Sequence, residues 1–97
     1  MAETLFQLRK RIELKTGKTL SSARVGSDLS LKRQQYWNFE QGNYAPDIFV
    51  TQRMVEYFRQ WIPELTIEEM IDIIGETLKQ AREAEKDGAA PAVFAYS

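Results

Sequence analysis

The chain has 97 residues, 43% hydrophobic and 28% charged, with a formal net charge of −1, which describes one small globular domain with a modest core. It contains neither cysteine nor histidine, so disulfides, thiol catalysis, thiolate zinc sites and imidazole bases are excluded. The remaining acids and serines show no catalytic spacing, so an enzyme, a metal or a cofactor is not expected.

No apolar run approaches the roughly 20 residues a membrane span needs. The opening MAETLFQLRK lacks the apolar core of a signal peptide, so a cytoplasmic location is expected. Charge is unevenly placed. Residues 1–46 hold eight Lys/Arg against four acids, giving +4, whereas residues 47–97 hold five against ten, giving −5. One half suits a polyanion and the other a different partner.

In chain order, apolar residues recur at helical spacing almost throughout. Leu5, Leu8 and Ile12 mark one face of a first helix, with Leu14 near its end and Gly17 placed to stop it in the left-handed conformation. Ser21 is the expected N-cap of a second helix, whose Val25 and Leu29 face inward. A third helix is expected to begin after Ser30 and run to about Gln41, stopped by Gly42, with Tyr36, Phe39 and Leu31 inward. Asp47, after Pro46, caps a fourth helix with a stripe of Val50 or Met54, Val55, Phe58 and Trp61, ended by Pro63.

Thr66 followed by Glu69 is a capping box and starts a fifth helix. Ile67, Ile71, Ile74, Leu78 and Ala81 form a heptad-like seam, with Met70, Ile73 and Thr77 as a second stripe beside it. This width predicts one stripe inward and one on a partner, the alternative being a helix sunk in its own core. Gly88 and Pro91 then break the helix. The apolar tail with Val93, Phe94 and Tyr96 suits a partner subunit or an added strand; a frayed terminus is the plain alternative. The expected organisation is all-α with five helices: residues 1–86 form one domain with a C-terminal dimerisation helix, and 87–97 a tail.

The most specific chemistry lies in residues 20–46. A helix in a major groove presents polar side chains to base edges. Arg33 suits guanine, and Gln34 or Gln35 suits adenine. Lys32 can reach phosphate or base, and Asn38 lies four residues after Gln34. The helix start at Ser21 and Ser22 offers backbone N–H groups to a phosphate. Arg24 in that first turn works against the helix dipole, which a bound phosphate would offset.

Residues 20–46 resemble the helix-turn-helix of the phage Cro/repressor (XRE-type) family. The resemblance rests on Leu20-Ser21, Gly26, Leu29, Phe39-Glu40-Gln41-Gly42 and Pro46, spaced without a gap over 27 residues, with Tyr36 where the family carries a buried aliphatic residue. It implies base contacts from Lys32, Arg33, Gln34 and Asn38. It implies phosphate contacts from Ser21 and Ser22 and, after the third helix, from Asn43 and Tyr44. It also implies a pair between Glu40 and Arg11. The chain departs from the pattern at Ser30, where the family turn usually has Gly, and at Gly26, where Ala is usual. Gly26 allows close packing but costs about 1 kcal/mol of helix propensity. Trp37 stands where polar residues are common, and could meet a sugar, a thymine methyl or its own C-terminal region.

The expected function is a sequence-specific DNA-binding transcriptional regulator, a homodimeric repressor with double-stranded DNA as its partner. Dimer contacts are expected from Ile67, Met70, Ile71, Ile74, Leu78 and Phe94. The alternative is a protein-interaction module, such as an antitoxin or adaptor, that binds a second protein through the acidic C-terminal half.

Overall fold

The computed structural model describes residues 2–32 and 34–86, with the side chain of Lys86 excepted. Arg33 and the tail with Val93, Phe94 and Tyr96 lie outside the described residues. The described chain is all-helical: α1 (Leu5–Thr16), α2 (Ser22–Asp28), α3 (Gln35–Gln41), α4 (Ile48–Phe58) and α5 (Ile67–Lys86). None of these helices is long and apolar enough to cross a membrane.

α1 starts with a capping box, Thr4 with Gln7, and stops at Gly17 at φ 70°. Leu5, Leu8 and Ile12 are buried, as the spacing predicts. Ser21 caps α2 by accepting the Arg24 N–H at 3.1 Å. α2 then closes in a paired turn: the N–H of Ser30 donates to Ser27 O (3.0 Å) and that of Leu31 to Gly26 O (2.9 Å). The motif needs a left-handed residue just past the helix, and Ser30 takes that role at φ 57°. A side chain held there costs roughly 1–2 kcal/mol.

This closure explains a correction. α3 does not begin after Ser30 but at Gln35, because Leu31 and Lys32 follow the turn without helical structure. A second left-handed residue, Gln34 at φ 66°, then turns it into the helix. Leu31, Tyr36 and Phe39 pack on the core as expected. α3 ends in the same paired turn as α2, now with glycine at the left-handed position: Gly42 N–H donates to Phe39 O (3.2 Å) and Asn43 N–H to Asn38 O (3.1 Å).

Asp47 caps α4 by accepting the Val50 N–H at 2.8 Å. Met54, Val55 and Phe58 are buried. α4 ends at Phe58, five residues before Pro63, because the next turns drive Ile62 and Leu65 into the core. Trp61 therefore lies outside the helix and packs edge-on against Tyr57 (5.3 Å).

The Thr66–Glu69 capping box opens α5 as predicted, with both reciprocal hydrogen bonds at 3.1 Å. Its buried stripe is Met70, Ile73, Ile74 and Thr77. Two expected dimer residues are thereby corrected: Met70 is fully buried and Ile74 nearly so, both against their own chain. The inward stripe follows the 3.6-residue period rather than the heptad, which turns Ile71 outward at 51% exposure. Ile67 and Leu78 are half-buried at the margin between the two faces.

Candidate nucleic-acid interface

α2 and α3 are positioned from behind by polar contacts that reach across the chain. Arg9 of α1 is buried and forms a two-pronged pair with Glu40 of α3, Nε to Oε2 at 2.6 Å and Nη2 to Oε1 at 2.9 Å. Its remaining nitrogen Nη1 donates to Leu20 O at 2.7 Å, at the entrance to α2. The hydrogen bond with Glu40 raises the guanidinium pKa above its ordinary value. This pair replaces the expected one with Arg11. Arg9 is four residues from Leu5 and so shares the buried face of α1, whereas Arg11 points outward and pairs with Glu3 at 2.5 Å.

Other elements hold both ends of α2. The Glu13 carboxylate accepts the Leu20 N–H at 2.6 Å, and this bond, with Lys10, keeps its pKa below the usual carboxylate range. At the far end Arg53 of α4 donates to the Leu29 carbonyl. Tyr57 donates to Asp28 Oδ2 at 2.7 Å. That bond first, and Arg24 second, lower the Asp28 pKa; burial and Asp28 raise that of the Tyr57 phenol.

Gly26 eases the close approach of α2 and α3. A Cβ at that position would sit 3.3 Å from the Tyr36 Cβ. Tyr36 is buried, and its hydroxyl has no hydrogen-bond partner among the described residues, although Glu40 is nearby. Burial first, and the Glu40 charge second, push the phenol pKa well above its ordinary value. At the other end of α3 a Cβ on Gly42 would lie 2.6 Å from Ala81 Cβ and 2.9 Å from Thr77 O. Glycine therefore lets the α3 terminus lie directly on α5. Thr77 also accepts the Leu5 N–H (3.0 Å), which ties the start of α1 to the same point.

In front of this frame lies an open cleft of about 840 Å³. α2 supplies Ser22, Ala23, Gly26 and Ser27; the connection and α3 supply Leu31, Lys32, Gln34, Tyr36, Trp37 and Asn38; Asn43 closes the edge. The structure thus brings together Ser22, Lys32, Gln34, Trp37, Asn38 and Asn43 of the expected contact residues. Lys32, Gln34 and Asn43 are exposed, and Trp37 shows 37% of its surface.

Several expected contacts are partly engaged already. Ser21 spends its hydroxyl on the α2 cap. Arg24 donates to Asp28 of its own helix at 3.1 Å. Gln35 Oε1 accepts the Lys32 N–H at 3.1 Å. Asn38 Oδ1 accepts from Asn43 Nδ2 at 2.8 Å. Tyr44 stands outside the cleft lining, edge-on to Phe39 at 5.4 Å. In the first turn of α4, Ile48 and Phe49 are 50% and 72% exposed.

Among the described residues no cluster of acids could hold a metal ion. Comparison of the chain with protein-family models, with curated proteins and with solved structures finds no match.

Proposed function

We propose that the protein binds double-stranded DNA in a sequence-dependent way through the cleft face of α2 and α3 and acts as a transcriptional regulator, in the manner of a repressor. The observation that supports this reading best is the grouping of Lys32, Gln34, Trp37, Asn38 and Asn43 on one exposed face, backed by the buried Arg9–Glu40 pair. Side chains that read base edges must be held in register, and a fixed scaffold behind them supplies that. The basic balance of residues 1–46 favours the same partner.

The regulator acts as a homodimer in this reading, with two copies reading half-sites about one helical turn, roughly 34 Å, apart. Ile71, exposed on α5 between the half-buried Ile67 and Leu78, is the residue that supports it. Selection from a randomised duplex pool at near-physiological salt tests both parts. A two-fold symmetric motif supports a dimeric regulator. Retention that is only salt-sensitive and sequence-blind rejects sequence reading. The acidic outer side of α5 around Ile71, with Glu68, Asp72 and Glu76, supports the second reading, a module that binds another protein there.

A further inference from the structure

The cleft carries an inference about what is read, and it rests on the DNA-binding reading above. Two-point recognition of adenine by an amide side chain uses both the carbonyl oxygen and the nitrogen. Two of the amide oxygens on α3 are committed, that of Gln35 to the Lys32 N–H and that of Asn38 to Asn43, which leaves Gln34 at the helix start as the cleft amide with no capping bond. Trp37 of α3 is the one large apolar surface that the cleft exposes beyond the core-facing Leu31 and Tyr36. It is 37% exposed and shares the cleft lining with the small residues Ala23, Gly26 and Ser27 of α2. The apolar feature on the major-groove edge of a base pair is the 5-methyl group of thymine.

We infer that Trp37 is a specificity-determining residue that reads a thymine through its 5-methyl group. Burying one group of this size is worth about 0.8 kcal/mol, which corresponds to roughly four-fold in affinity. The probe is the duplex enriched from the randomised pool, remade with deoxyuridine at each thymine in turn. That exchange removes the methyl and leaves the hydrogen-bonding edge unchanged.

Wild-type protein is expected to lose roughly four-fold in affinity at one thymine of each half-site. Trp37→Gln is expected to bind the thymine and deoxyuridine duplexes equally, and Trp37→Phe to keep part of the difference. Because Trp37 lies outside the buried core, both variants are expected to melt with the wild type, and Trp37→Phe carries the test if Trp37→Gln does not fold. An enriched duplex indifferent to deoxyuridine at every position overturns the inference alone. So does a methyl preference that persists in Trp37→Gln. Absence of any enriched duplex overturns the DNA-binding reading and the inference with it.

Discussion

The α2–α3 face and the outer face of α5 are built in opposite ways. Behind α2 and α3 the chain spends side chains on long-range polar contacts: Arg9 to Glu40 and Leu20, Glu13 to Leu20, Arg53 to Leu29 and Tyr57 to Asp28. α5 is seated mainly by apolar burial of Met70, Ile73 and Ile74, with the Thr77 hydroxyl as its one described bond to α1. Apolar burial holds an element in place but is non-directional, whereas hydrogen bonds also fix orientation. The face proposed to read DNA is the one tied by hydrogen bonds.

The strongest way to break this contrast is Glu40→Ala. It leaves the Arg9 guanidinium buried without its carboxylate, and a loss of about 3–5 kcal/mol in unfolding free energy by denaturant titration is expected. A loss below 1 kcal/mol would mean that the pair does not organise the frame. Next in size is Gly42→Ala. It combines a left-handed backbone with a collision against Thr77 and Ala81, and is expected to cost about 2–4 kcal/mol by the same assay. An unchanged midpoint would show that α3 does not depend on close contact with α5.

Gln34→Ala separates function from stability. Gln34 is exposed and makes no helix-capping bond, so a loss of about 1–3 kcal/mol in operator affinity is expected with folding intact. Unchanged affinity would move base reading elsewhere on the cleft. Ile71→Asp sharpens the other side of the comparison. Unlike a substitution at Ile74, it leaves the core untouched, and sedimentation is expected to show monomers with an unaltered melting curve. A persisting dimer would place the subunit contact away from α5.

The smallest expected effect is on pH. The fold lowers the carboxyl pKa values of Glu13 and Asp28, so it favours their charged forms. That stabilisation is present above the ordinary carboxylate range near pH 4 and is lost as pH falls through the lowered values. The melting temperature should hold from pH 7 to about 5 and decline below about 4, less so in Glu13→Gln. A rise on acidification would contradict the assignment.

Much of this frame was legible in the sequence because it depends on local signals. The caps at Ser21, Asp47 and Thr66, the stops at Gly17 and Gly42, and the inward faces of α1, α2 and α4 follow from short-range rules. The misread features depend on distant partners or on turn geometry. Arg9 rather than Arg11 meets Glu40 because Arg9 shares the buried face of α1 with Leu5, and its partner lies 31 residues away on α3. The late start of α3 reflects two left-handed residues, Ser30 and Gln34, neither of them glycine. Met70 and Ile74 were assigned to a partner because the heptad pattern and the core stripe overlap on α5. The cleft lining was largely readable, but the amide oxygens engaged at Gln35 and Asn38 were not, because those bonds depend on side-chain geometry.

The most direct test follows the backbone amides of isotope-labelled protein by nuclear magnetic resonance during titration with the selected duplex. If α2 and α3 form the DNA face, the largest shifts fall within residues 21–24 and 31–44, while α5 from Ile67 onward changes little. Shifts concentrated on the outer side of α5, with the cleft residues unmoved, would contradict the account.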